Sequence, residues 1–319
     1  MRGTWTEADI PDQTGRTAVV TGANGGLGLE TAKALAAKGA HVVMAARDQA
    51  KAADAEREIR SHAPDASLEI VRLDLGDQAS VKDAAATIAE AHPVIDLLVN
   101  NAGVMAMPER KTADGYEMQL GVNHLGHWTL TAGLLAPLLR SAADGRHPRV
   151  VTVTSVARFT GGPVDPSNPH LAGRYDPWRA YGQAKLANYH FGLGLQQQAE
   201  RAGVDLASLL AHPGLTNTDL QSRTHREGGA GVLGAMSDRI TDVLGMSPAA
   251  GTRMQLRAAT DPKAKGGQLY APAFASFGPA VARPVLRRWD LEERISQLWE
   301  VSERETGVPL DVAEAARSL

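Results

Sequence analysis

Apolar residues along the first two thirds of the chain fall into short blocks separated by longer, mixed stretches. Thr17 to Thr21 (TAVVT), His41 to Ala46 (HVVMAA), Leu68 to Leu73 (LEIVRL) and Ile95 to Val99 (IDLLV) are near-continuous apolar runs of strand length. Arg149 to Thr154 (RVVTVT), Val204 to Leu210 and the short Gln268 to Ala271 continue the series. Between them lie segments with helical spacing: Leu29 to Lys38 with Gly39 at its end, Ala50 to Ser61, Val81 to Ala91, Glu117 to Arg140 and Arg179 to Arg201. Strands that are apolar on both faces and alternate with helices predict a parallel sheet covered on both sides. Right-handed crossovers then make it a doubly wound α/β fold of about seven strands.

No internal repeat or low-complexity linker divides the chain, so residues 1–319 read as a single domain. Two stretches interrupt the alternation, and long loops inside a compact domain are usually functional or disordered. One is an insertion at 159–178, rich in Pro, Gly and aromatics. The other, 216–247, carries Gly228-Gly229 followed by Val232, Met236, Ile240, Val243 and Leu244 on one helix face, and reads as a substrate lid. A helical extension is predicted at 284–304, where Leu286, Trp289 or Leu291, Ile295, Leu298 and Val301 share helix spacing; a helix packed on the core and a subunit contact are its two readings. A net charge of -3 gives no footprint for nucleic acid or an anionic membrane. The absence of cysteine removes disulfides, thiolate metal sites and cysteine nucleophiles. The first residues lack the basic start and apolar run of a signal peptide, and no run approaches the ~20 apolar residues of a membrane span, which makes the cytoplasm the default location.

The first strand-to-helix turn reads Thr21-Gly22-Ala23-Asn24-Gly25-Gly26-Leu27-Gly28. Glycines there permit a tight turn and let backbone N–H groups reach a pyrophosphate at a helix N-terminus. The spacing TGxxxGxG resembles the short-chain dehydrogenase/reductase family. So do Asn100-Asn101-Ala102-Gly103 after the fourth strand, Ser155 after the fifth, Tyr181 and Lys185 as YxxxK on a long helix, Asn123 within GVNHLGH, and Pro213-Gly214 with Thr218 after the sixth strand. The resemblance covers roughly Gly15 to Ala271 and implies a Rossmann-type fold, a nicotinamide cofactor and a catalytic set of Asn123, Ser155, Tyr181 and Lys185. It implies cofactor contacts at Gly22, Asn24, Gly26, Leu27, Gly28, Arg47, Asp74, Leu75, Asn101, Ala102, Gly103, Tyr181, Lys185, Pro213, Gly214 and Thr218.

Carbonyl reduction needs a hydride donor, a proton donor and a group to hold the developing oxyanion. Tyr181 offers a phenol proton, and Lys185, one helical turn on, is expected to lower its pKa as a nearby cation. Ser155 offers a hydroxyl to the substrate oxygen, and Asn123 is expected to hold a water linking Lys185 to solvent. The second strand ends Ala45-Ala46-Arg47, with no acid for a ribose 2′-OH and an arginine placed for a 2′-phosphate, so NADP(H) is expected to be preferred, with NAD(H) the alternative. Asp48 reads as the next helix's N-cap; Asp74 resembles the adenine-contacting position of the family and also reads as an N-cap. His124 and His127, three apart, read as structural or substrate-facing rather than as metal ligands, and His212 is open to either a structural or a ligand role.

The gap between Ser155 and Tyr181, the phrase YGQAKLAN, AARD after the second strand and the C-terminal LWEVSERETG resemble the retinol-dehydrogenase-like branch, with protochlorophyllide reductases as relatives. The reading is an NADP(H)-dependent oxidoreductase acting on a carbonyl or alcohol, largely apolar, with no nucleic acid partner and no membrane anchor. The resemblance makes a homo-oligomer an expectation too, since family members often pair through the two long helices beside the active site. A catalytically idle NADP(H)-binding sensor or scaffold is the alternative.

Overall fold

The computed structural model describes residues 4–216, 246–285 and 289–319. An eight-stranded sheet in the order β3-β2-β1-β4-β5-β6-β7-β8 forms its centre. Its first half is built from β1 (Thr17–Thr21), α1 (Gly26–Ala36), β2 (His41–Ala46), α2 (Gln49–His62), β3 (Leu68–Arg72), α3 (Gln78–Ala91) and β4 (Leu97–Asn100). Strands β1 to β7 run parallel, and the order reverses between β1 and β4, which creates a crevice at the C-terminal ends of the strands. Asp48 caps α2 through Lys51 N, as its position predicts. Asp77, not Asp74, caps α3, accepting from the Ala79 and Ser80 amides.

The long helix expected over Glu117 to Arg140 is broken. A turn at Met118–Leu120 runs into a π-helical turn, Gly121–Leu125, then α4 (Gly126–Gly133) and α5 (Leu135–Ala143), which meet at Leu134. Wide π-turns recur at functional sites, and this one carries Asn123. Next come β5 (Arg149–Val153), the long α6 (Pro177–Ala202) and β6 (Ala207–Ala211). Part of the 159–178 stretch forms a helical turn at Arg158–Gly161, where a Cβ on Gly161 would fall 1.8 Å from Gln183 N. Only glycine permits that approach to α6.

The rest of the chain adds α7 (Pro248–Thr260), β7 (Leu269–Pro272), β8 (Ala280–Arg283), α8 (Leu291–Thr306) and α9 (Val312–Arg317). Helix α7 was not legible, although Ser247 caps it and Pro248 opens it. β8, a four-residue antiparallel edge strand, raises the strand count above the expected seven. Leu291, Ile295, Leu298 and Val301 are the buried face of α8, whereas Trp289 stands 90% exposed before it. That helix packs on the core: Trp128 Nε1 donates to Val308 O at 2.8 Å, and the Trp299 ring meets those of Trp128 and Phe191. No described helix is long and apolar enough to cross a membrane.

At the sheet's N-terminal end, the fully buried Asp96 carboxylate ties several segments together. It accepts from Arg146 Nε and Nη2 at 2.7 Å, Thr17 N at 2.9 Å and Ser141 Oγ at 3.1 Å. Burial alone would raise its pKa; the Arg146 and Thr17 hydrogen bonds and the Arg16 charge hold it below the usual carboxylate value.

Candidate active site

The glycine turn after β1 can be occupied only by this backbone. Gly22 and Gly26 sit at φ +68 and +53, and a Cβ on Gly28 would lie 2.2 Å from Gly22 O. Gly25 at the N-cap of α1 supplies no side-chain acceptor, so the first amides of the helix face outward without a protein cap. A cradle with no room for Cβ atoms and an uncapped helix N-terminus fits a pyrophosphate.

Thr21, which the sequence did not single out, holds this turn to the next. Its Oγ1 accepts from the Asn101 and Ala102 amides at 2.9 Å each and meets His127 Nε2 at 2.9 Å, while Thr21 O accepts from Asn101 Nδ2 at 2.9 Å. Gln255 on α7 donates to Asn101 Oδ1 at 3.2 Å. Its place as the first residue of TGxxxGxG was the available signal for Thr21; Gln255 had none, because its helix was not foreseen. At the end of β2, Ala46 is buried and the exposed Arg47 places Nη1 4.0 Å from Asp74 Oδ2. Asp74 Oδ1 accepts from Gly76 N at 3.0 Å, and Leu75 is buried in the core behind it.

The second group gathers where β5, α6 and the π-turn converge. Tyr181 and Lys185 are one turn apart on α6, both buried, with Lys185 Nζ 5.8 Å from the Tyr181 ring centre. Ser155 lies beside Tyr181 in the cleft. Burial pushes the Tyr181 phenol up to about 12 against the opposing pull of Ser155, and pushes the Lys185 ammonium down to about 8. Burial of each group is the largest cause of its shift, and no lowering of Tyr181 by Lys185 contributes in the fold alone. Lys185 Nζ donates to Val153 O at 3.2 Å, where Asn188 Nδ2 also donates at 3.1 Å.

Asn123 is buried beside Gly103, where a Cβ would fall 2.9 Å from Asn123 Oδ1 and 3.5 Å from Lys185 Nζ. Its side chain is engaged at both ends, accepting from Val104 N at 2.7 Å and donating to Val104 O at 2.9 Å. The amide therefore braces the Asn101–Val104 turn. His127 Nδ1 bonds Asn123 O at 2.9 Å and His124 Nε2 bonds Ser302 Oγ at 2.8 Å, so the two histidines serve different structural partners.

A cleft of about 550 Å³ brings together Leu27, Asn101 and Gly103 from the nucleotide side, and Ser155, Tyr181 and Lys185 from the other, with Pro213 and Gly214 at one wall. Val104, Met105, Val153, Val156, Trp178 and Leu215 give it an apolar lining, and Trp178 stands edge-on to Tyr181. Phe159 of the 159–178 insertion is 65% exposed under the Arg158 guanidinium. His212 is buried with Nε2 3.2 Å from Ala275 O, and burial lowers its pKa to about 4. Thr218 and the apolar face Val232, Met236, Ile240, Val243 and Leu244 of the expected lid lie outside the described residues, as does Leu286.

Residues 16–228 match the family model for short chain dehydrogenase. The mouse polyprenol dehydrogenase is 41% identical over 220 residues, which cover 69% of this chain and 65% of that protein. The human retinol dehydrogenase 13 is 39% identical over 219 residues, 68% of this chain and 63% of that one. The chain thus spans just under two thirds of the length of these relatives, and both are of the retinol-dehydrogenase-like branch that its motifs resemble. A crystal structure of a protein from Mycobacterium Paratuberculosis is 35% identical, covers 96% of this chain and 99% of that one, and superposes with a TM-score of 0.76. A second, described as an NAD(P) dependent gluconate 5-dehydrogenase from Beutenbergia cavernae with NADP bound at low occupancy, is 27% identical, with a TM-score of 0.61 over 81% of this chain and 95% of that one.

Proposed function

The chain belongs to the short chain dehydrogenase family, and from that premise we propose that it is an NADP(H)-dependent oxidoreductase interconverting a carbonyl and an alcohol on a largely apolar substrate. The observation that carries this reading is that Ser155, Tyr181 and Lys185 line the same cleft as Leu27 and Asn101 of the glycine-rich end. When bound, the nicotinamide cofactor supplies or takes up the hydride. Gly22, Asn24, Gly26, Leu27 and Gly28 would cradle its pyrophosphate, Asn101 to Gly103 and Pro213-Gly214 would flank it, and Lys185 would hold ribose hydroxyls. Thr218 is assigned to it by motif alone.

Tyr181 keeps its proton at neutral pH, because burial holds the phenol at about 12. It therefore serves as the acid that protonates the carbonyl oxygen, and Ser155 donates a second hydrogen bond to the same atom. The Lys185 ammonium stabilises the phenolate left behind. Asn123 acts as a positioning residue through Val104. The apolar walls exclude water and favour an apolar substrate. Arg47, exposed and without an acid at Ala46, supports NADP(H) over NAD(H) through a charge-assisted contact to a 2′-phosphate.

A panel of apolar and polar aldehydes, ketones and alcohols, followed by cofactor absorbance with NADPH, NADH and their oxidised forms, tests the proposal. Turnover is expected with NADPH and apolar carbonyls. Tight NADPH binding with no turnover of any compound would replace the enzyme with a cofactor-binding sensor.

A further inference from the structure

Three side chains with metal-ligating chemistry meet at the end of the sheet opposite the cleft. His41 opens β2, Glu69 lies in β3, and His92 follows α3 as its C-cap. The parallel register pairs Val43 with Glu69, so His41, Val43 and Glu69 point to one face of the sheet. Val43 on that face belongs to the core cluster that includes Val81, Ala84 and Ile88 of α3, which brings His92 over the same edge.

The donor atoms of the three residues all lie within 4.8 Å of one another. His92 Nε2 is 2.7 Å and His41 Nε2 3.5 Å from the same Glu69 oxygen. His41 Nδ1 bonds Ser67 Oγ at 2.7 Å, while His41 Nε2 is buried and has no hydrogen-bond partner. A ring held from its outer nitrogen, with its other nitrogen bare and turned toward a carboxylate and a second imidazole, is the outer-shell arrangement of a metal-binding histidine.

We infer that His41, Glu69 and His92 form a binding site for a divalent transition-metal ion, with Zn²⁺ as the probe. Two imidazoles and one carboxylate suit Zn²⁺ and its neighbours, whereas Mg²⁺ and Ca²⁺ prefer oxygen ligands. Ligand bonds of about 2.0–2.2 Å in a tetrahedron place donors roughly 3.3 Å apart. The two separations from Glu69, 2.7 and 3.5 Å, bracket that value, and water would be the remaining ligand. The partial exposure of His41 and Glu69 leaves a path for the ion. The ion would tie β2, β3 and α3 together and take no part in chemistry at the cleft.

The test uses the full chain without a histidine tag, stripped with EDTA. Isothermal titration with Zn²⁺ should give one saturable equivalent, Co²⁺ should give the visible absorption of a low-symmetry site, and the thermal midpoint should rise with Zn²⁺ but not with Mg²⁺. Glu69→Gln and His92→Gln should each weaken Zn²⁺ binding about tenfold or more, and His62→Gln, on the exposed side of α2, should not. Glu69→Gln is nearly isosteric and decides the matter if His92→Gln folds poorly by far-UV circular dichroism. Absence of saturable binding, or stoichiometric binding unaffected by Glu69→Gln, overturns the proposal.

Discussion

Replacing Lys185 with methionine should make the cofactor-free protein more stable while abolishing its reaction. The fold buries the Lys185 ammonium completely, and burial is the only cause of the fall in its pKa from 10.5 to about 8. At roughly 1.4 kcal/mol per pKa unit, a charged Lys185 costs the native state about 3 kcal/mol at pH 7. Lys185→Met removes that cost and keeps most of the apolar volume. It also deletes the 3.2 Å bond to Val153 O, worth about 1 kcal/mol, although Asn188 Nδ2 still donates there at 3.1 Å. A net gain on the order of 2 kcal/mol follows, which is the usual direction when a functional charge is removed from an apolar site.

The pH dependence separates this cause from a general packing improvement. Below about pH 8, Lys185 is charged in both the folded and the unfolded wild type, and the full cost applies. Between about 8 and 10.5 the unfolded chain binds the proton and the folded one does not, so wild-type stability rises with pH. The advantage of Lys185→Met should therefore shrink across that window. Urea unfolding followed by far-UV circular dichroism at pH 7 and pH 9.5, without cofactor, measures both. A variant less stable than wild type at pH 7, or an advantage unchanged at pH 9.5, would refute the reasoning.

Tyr181→Phe should lower kcat by at least a hundredfold, about 2.7 kcal/mol of barrier, with cofactor affinity measured by fluorescence titration within about threefold of wild type; retained turnover would mean another group protonates the substrate. Arg47→Ala should remove most of an NADP(H) preference of roughly 10- to 150-fold, which corresponds to about 1.5–3 kcal/mol for a charge-assisted contact, and wild type binding NAD(H) as tightly as NADP(H) would contradict the assignment. Asp96→Asn should destabilise the protein by about 2–4 kcal/mol, less than full loss of a buried pair because Arg146 is partly exposed. Because the Asp96 pKa is lowered in the fold, its stabilisation is present above the ordinary carboxylate pKa and lost as pH falls through the lowered one, so Asp96→Asn should flatten the acid limb of a stability profile. Gly28→Val should abolish cofactor binding, since its Cβ would meet Gly22 O at 2.2 Å.

What the chain disclosed before folding divides along a physical line. Strands β1 to β6 and helices α1 to α3 were legible because both-face burial writes continuous apolar runs, and because the glycine turn, NNAG and YxxxK carry their spacing in the sequence itself. Helix α7 and strand β8 were not, since one follows the 216–247 stretch, where the alternation of strand and helix patterns breaks off in the sequence, and the other is four residues at an edge. The site residues were legible as neighbours, yet two of their properties are not written in the spacing. Spacing told that Lys185 lies near Tyr181, and from proximity alone a cation lowers a phenol's pKa. Spacing is silent about solvation, and it is solvation that decides the balance here: each group is buried, each charged form is disfavoured, and the phenol moves to about 12 while the ammonium moves to about 8. In the same way the motif placed Asn123 beside Lys185, but only the fold reveals that a π-turn and Gly103 bring its amide against both backbone groups of Val104. In the fold alone, burial is the largest influence on both groups. Anything that delivers negative or strongly polar groups to the Lys185 ammonium favours its charged form and, through it, the Tyr181 phenolate. The acidity expected from sequence therefore belongs to the loaded cleft, and the measured Tyr181 pKa should fall when NADP(H) binds to wild type but not to Lys185→Met. Ultraviolet difference titration of the phenolate, with Tyr181→Phe to identify its signal, reads that fall, and an unchanged Tyr181 titration on cofactor binding would show that Lys185 does not govern the acid.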